Sequence, residues 1–94
     1  MTVRILENSM HLVRYWLEFE NAPKFTPLRL GCGITAENLD DMRHILRDVF
    51  FKGNAVPGIS KCIENVDVST LDANHVLPNI GAVYRRGVWF PNMN

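Results

Sequence analysis

No apolar run in this chain approaches the 18 residues that a membrane-crossing helix needs, and the opening MTVRILENSM is too short and too charged for the hydrophobic centre of a secretory signal. Neither a membrane span nor export is therefore expected, and the cytoplasm is the expected compartment. An excess of charge of one sign is also missing: ten Lys and Arg face ten Asp and Glu, balanced in each half of the chain. Wholesale neutralisation of phosphates needs a basic surplus, so general nucleic-acid binding is the lesser reading. Cysteine is scarce. Cys32 and Cys62 lie far apart and read as two buried, reduced thiols, not as a disulfide framework. His11, His44 and His75 are scattered, and neither cysteine has a neighbour at metal-ligand spacing, so no metal and no cofactor is expected. The single GxG, Gly31 and Gly33, sits inside an alternating apolar stretch, whereas a dinucleotide fingerprint puts its glycines in the loop after a strand. Two glycines on one face of a strand point instead to a close neighbour, for which Trp16 is the candidate.

What is present is the composition of an ordinary globular domain, 47% hydrophobic and 21% charged. A chain of 94 residues makes one domain, 1–94, with residues 1–9 read as a loosely held lead-in. It buries only about 60–65% of its unfolded surface, so its stability is expected to be modest.

The clearest pattern is TAENLDDMRHILRDVFF, residues 35–51. Leu39, Met42, Ile45, Leu46, Val49 and Phe50 recur at helical spacing and cover an arc of about 140°, which needs a partner surface. Thr35 is the expected N-cap, Glu37, Asp40 and Asp41 suit the positive end of the helix dipole, and Gly53 is the expected C-cap. Glu37, Asp40, Asp41, His44 and Asp48 fall together on the opposite, polar face.

Before the helix, HLVRYWLEFE alternates. Val13, Tyr15, Leu17 and Phe19 would face a core and Arg14, Trp16, Glu18 and Glu20 solvent, the pattern of a half-buried strand. Asn21 to Lys24 is turn chemistry, and alternation resumes from Pro27 with Leu28, Leu30, Cys32 and Ile34, giving a hairpin. After the helix, Pro57 opens an expected short second helix with Val56, Ile59, Cys62 and Ile63 turned inward. Residues 66–68 read as a short strand, 69–81 as an ordered loop anchored by Leu71, Val76 and Leu77, and 86–90 as a closing strand stopped by Pro91.

The expected fold is α+β: a small three- to four-stranded, mainly antiparallel sheet over 11–20, 27–34, 66–68 and 86–90, with the long helix and the short second helix packed on one face. Its expected core is Val13, Tyr15, Leu17, Leu28, Leu30, Ile34, Leu39, Met42, Ile45, Leu46, Val49, Ile63 and Val88.

No residue set reads as catalytic, and the chain is expected not to be an enzyme. His44 lies four residues from both Asp40 and Asp48, the spacing of a solvated pair on an exposed helix face. Cys32 alternates with core leucines and Cys62 falls on an apolar face, both poor places for a thiolate, which leaves a small hydrolase as the third reading. Arg85 and Arg86 beside Tyr84, Trp89 and Phe90 combine cations with rings that could stack bases, which makes a small nucleic-acid-binding regulator the second.

The C-terminal run resembles something more specific. Asn65-Val66-Asp67-Val68-Ser69-Thr70-Leu71-Asp72, then Asn74-His75-Val76-Leu77-Pro78-Asn79 with Gly81, then Arg86-Gly87-Val88-Trp89-Phe90-Pro91, is similar to the ending of a group of small, uncharacterised bacterial proteins of about this length. The resemblance implies no catalytic residues; His75, Pro78, Asn79, Gly81 and Trp89 are expected to be structural, with the loop fastened under the final strand and Trp89 largely buried. Small bacterial proteins of this kind are often immunity partners that neutralise a toxin, including those of contact-dependent growth inhibition systems. By that analogy the chain is expected to be a protein-binding module whose partner is a toxin domain, a nuclease being one candidate. Its expected binding surface is the stripe Glu37, Asp40, Asp41, His44 and Asp48, because nuclease-type toxins present basic clefts and a helix holds carboxylates at fixed spacing.

Overall fold

The computed structural model describes residues 11–21, 27–52 and 54–92. The expected lead-in 1–9, most of the turn after Asn21 and the expected cap Gly53 lie outside the described residues. Among the described residues four strands form one antiparallel sheet: β1 (Val13–Phe19), β2 (Cys32–Ala36), β3 (Ile59–Glu64) and β4 (Gly87–Phe90), in the order β3-β1-β2-β4. The helix α1 (Leu39–Leu46) continues as a wider π-type turn over Arg47–Phe51 and lies across β2, with β4 beside it. The α+β class, the antiparallel sheet and the long helix are as the sequence patterns imply.

Several boundaries differ. Thr35 does not cap the helix; it is the fourth residue of β2, fully buried, and its hydroxyl donates to the Val83 carbonyl at 2.5 Å. Asn38 is the cap. Its backbone is extended and its side chain accepts the Asp41 N–H at 2.8 Å, satisfying one of the donors that a helix start leaves open. The second strand begins at Cys32, five residues late, because Pro27–Arg29 closes into a 3-10 turn and Gly31 takes φ 129°, a conformation that side-chain-bearing residues avoid.

The expected helix after Pro57 is a strand, β3, paired antiparallel to β1 with Tyr15 opposite Glu64, Trp16 opposite Ile63 and Leu17 opposite Cys62. Helical spacing of Val56, Ile59, Cys62 and Ile63 is also what a mostly exposed edge strand of mixed residues produces by accident. Cys62 is exposed, and Ile63, expected in the core, keeps 38% of its surface. Residues 66–68 form no strand; Val66 donates to the Arg14 carbonyl at 3.1 Å and Val68–Thr70 coils into a 3-10 turn.

The sheet is covered on both faces, which its alternation conceals. Tyr15, Leu17, Cys32, Ile34, Met42, Ile45 and Leu46 make the core under α1. Trp16, read as solvent-facing, is buried on the far side with Val66, Val76, Trp89 and Phe90, and Leu30 joins that second core instead of the first. Trp16 stacks on Trp89 with centroids 6.1 Å apart and meets Phe90 at 5.6 Å. Removing rings of this size from water is worth about 4–6 kcal/mol each. The glycines make the room: a Cβ on Gly31 would strike the Trp16 ring, and one on Gly33 the Trp89 ring. Leu39, the remaining core expectation to differ, is 38% exposed at the rim of the helix.

The C-terminal run from Asn65 to Phe90 folds as the cover of this second core. Asp67 accepts from Ser69 through N–H at 3.1 Å and Oγ at 2.7 Å, and Asp72 accepts the Asn74 and His75 N–H groups at 2.8 and 3.0 Å. The Asn79 amide donates to the His75 carbonyl at 3.1 Å, and Gly81 N–H to the Trp89 carbonyl at 2.7 Å. Val76 and Trp89 are buried beneath, while His75, Pro78 and Asn79 stay exposed. The polar residues of this run thus hold tight turns that let its few apolar ones pack.

Candidate partner-binding site

The buried apolar arc turns the other face of α1 outward, and of the expected stripe Glu37, Asp40, His44 and Asp48 are exposed while Asp41 is partly covered. Asp41 is engaged. Arg86, at the turn into β4, closes a fork on it, Nε to Oδ2 at 2.9 Å and Nη2 to Oδ1, and Asp41 Oδ2 also accepts the Glu37 N–H at 3.0 Å. Those bonds, the Arg86 fork first, hold the Asp41 carboxyl below the usual carboxylate range, and the same fork raises Arg86. Asp41 is therefore a structural clasp between the helix and the last strand.

The other four line two different hollows. Glu37 and Asp40 face β3, where with Tyr15, Asn38, Leu39, Arg43 and Glu64 they line an open groove of about 590 Å³. His44 and Asp48 face β4, beside Ile45, Val49, Arg86, Gly87 and Val88, along a second hollow of about 420 Å³. Asp40 is only loosely matched, its carboxylate 3.9 Å from the Arg43 guanidinium with 88% of its side chain exposed. Glu64 joins the acidic group from another element. Periodicity within the helix could not reveal it, but recognising β3 as a strand would have placed it opposite Tyr15.

The ring-and-cation cluster considered for nucleic acid comes apart as well. Trp89 and Phe90 are buried in the second core and Arg86 is bound to Asp41, which leaves Arg85 lying 6.0 Å from the centroid of the exposed Tyr84 ring. Neither thiol is prepared as a nucleophile: burial pushes Cys32 far above the ordinary range, and burial with the Glu64 charge raises Cys62. Among the described residues no cluster of His, Cys, Asp and Glu could hold a metal, and no helix is long and apolar enough to cross a membrane.

No family model, curated protein or solved structure matches the chain.

Proposed function

We propose that the chain is a non-catalytic protein-binding module, and specifically an immunity protein that binds and neutralises a bacterial toxin. The observation that carries the reading is the exposed acidic surface around the first turns of α1, where Glu37, Asp40 and Glu64 line one open groove and, among the described residues, the salt bridge there is the loose Asp40–Arg43 contact. Carboxylates fixed on a helix and a strand suit association with a basic surface, since they steer the partner in and need no ordering on contact. The resemblance of residues 65–91 to small bacterial proteins points the same way, and its residues work as structure, leaving the helix side of the sheet for binding.

The reading is tested by capturing the partner from the native host and asking whether expression of this chain protects cells from it. Protection that is lost when Asp40 and Glu64 are both replaced by lysine supports the proposal. A captured partner that is not toxic, or protection indifferent to those changes, sinks it.

A further inference from the structure

The groove beside Glu64 continues along the protein. Arg43 lines both it and a further hollow of about 320 Å³ formed by Leu46, Arg47, Val56, Pro57 and Ile59, so the two adjoin at Arg43. Three carboxylates, Glu37, Asp40 and Glu64, line the groove against the single cation Arg43, and Arg47 lines only the further hollow. One wall is an edge strand. Among the described residues β3 pairs with β1 alone, so the outward N–H and C=O groups of a six-residue strand are open to another chain. Because α1 lies over β2 and not over β3, the side chains of Cys62 and Glu64 on the helix side of that edge are exposed.

In this groove Tyr15 adds an observation independent of charge. It is 2% exposed, stands directly opposite Glu64 in the sheet and lines the groove, yet its hydroxyl makes no hydrogen bond among the described residues. The buried side-chain atom without a partner among the described residues is Trp89 Nε1, so the Tyr15 hydroxyl is the part of the tyrosine that meets the groove. Burial first, then the negative charge of Glu64, raises its pKa, so it stays a neutral phenol able to accept as well as donate.

We propose that this groove takes a lysine or arginine side chain carried on an extended segment of a partner protein, the segment adding to the outer edge of β3 while the cation reaches Glu64, Glu37, Asp40 and the Tyr15 hydroxyl. The inference rests on the protein-binding reading above and names the chemistry recognised. A guanidinium or ammonium has donors only, and the groove offers acceptors. The aliphatic stem of such a side chain covers Leu39, which α1 leaves half out of the core. An acidic residue would meet three like charges, and an apolar one would strip water from carboxylates without replacing it. Main-chain pairing along β3 supplies the direction of approach, as in other complexes where a strand is added beside a helix-flanked groove.

The test uses three blocked pentapeptides of alternating threonine and valine, with arginine, norleucine or glutamate at the centre, titrated into the isotopically labelled full chain and followed by amide NMR. The arginine peptide is expected to shift the amides of residues 60–64 together with those of Tyr15 and Leu39, and to bind about tenfold more tightly than the norleucine peptide, the effect of one charge-assisted hydrogen bond. Glu64→Gln and Tyr15→Phe, neither of which removes a hydrogen bond that holds the fold, should melt near the parent and each shrink the advantage of arginine. Equal binding of arginine and norleucine, shifts confined to another face, or no saturable shift overturns the proposal. Peptide discrimination that survives while host protection fails removes the immunity reading alone; protection that survives while the peptides are bound alike removes this one.

Discussion

Arg86 and Asp41, 45 positions apart, meet in a two-point fork that ties the turn before β4 to the first turn of α1. The carboxylate is largely covered, and its second role is to accept the Glu37 N–H at the helix start. A guanidinium held at two points in a planar fork resists replacement by lysine, which offers a single charge centre. Arg86→Lys should therefore lower the melting temperature nearly as much as Arg86→Gln. The two changes Arg86→Gln and Asp41→Asn should also be strongly non-additive in a double-mutant cycle. Additive losses would mean that the fork contributes little.

Acid should weaken the fold with a definite sign. Asp41, Asp67 and Asp72 all sit below the ordinary carboxylate value of about 3.9. Arg86 leads the causes for the first, Ser69 for the second and the Asn74 N–H for the third. Such a group binds fewer protons folded than unfolded, so its contribution is complete above the unfolded value and is lost as pH falls through the folded one. Urea midpoints should be flat near neutrality and fall below the carboxylate range, and Asp41→Asn should make that fall shallower. An unchanged slope in the variant contradicts the assignment.

Trp89 and Gly33 should behave as one unit. Trp89 is fully buried, and the space its ring occupies exists because Gly33 has no side chain. Trp89→Ala removes about 3–5 kcal/mol and should leave so small a domain largely unfolded. Gly33→Ala drives a methyl into the ring at about 1–3 kcal/mol. Trp89→Leu should suffer less from the added methyl, so the double variant should be more stable than the sum of the single losses; circular dichroism melts decide it. The indole Nε1 has no acceptor among the described residues, so part of what Trp89→Phe loses in area is returned by removing a buried, unpaired donor.

These residues also mark where sequence patterns stop being informative. The apolar spacing of Leu39 to Phe50 could belong only to a helix packed on one side, and the structure puts a helix there. Its start was misplaced because Thr35 and Asn38 are both acceptable caps, and only the hydrogen bonds of β2 with its neighbours decide that Thr35 belongs to a strand. Strand β1 looked half-exposed because Trp16 alternates with charged residues, and what covers Trp16 arrives from residues 66–90, far away in sequence. Edge strand β3 hides most completely: with one neighbour and little burial, nothing selects apolar residues at every second position. As for the stripe, helical angles place Asp40, Asp41, His44 and Asp48 on one side of the helix, but only a residue from another element, Arg86, shows that Asp41 is engaged, and Glu64 of β3 joins Asp40 from outside the helix.

The two thiols should be distinguishable. Cys62 is exposed and Cys32 buried, with both pKa values raised. Reaction of the native protein with a disulfide reagent should label Cys62 alone, slowly near neutrality and faster as pH rises, while Cys32 waits for unfolding. Glu64→Gln should speed the labelling of Cys62 by removing a nearby negative charge. Fast labelling of both thiols in the native state contradicts the burial of Cys32.

The last prediction concerns the acidic stripe and how to probe it without damaging the fold. Reversing Asp41 would break its bonds to Arg86 and to the start of α1, so a loss of binding there would report unfolding as readily as recognition. Asp40 and Asp48 are the informative pair, both exposed, Asp40 lining the groove toward β3 and Asp48 the hollow toward β4. Exposed helix charges contribute only tenths of a kcal/mol each, so Asp40→Lys and Asp48→Lys should melt close to the parent. If the groove toward β3 is the contact, Asp40→Lys should slow association with the captured partner and flatten its dependence on salt, because charges at the rim act through steering over roughly a Debye length. Asp48→Lys, on the β4 side, should change the rate less at every ionic strength. Stopped-flow association at low and physiological salt separates the cases: equal slowing by both variants assigns the contact to the helix as a whole, and slowing by Asp48→Lys alone moves it to the hollow beside Arg86 and Val88.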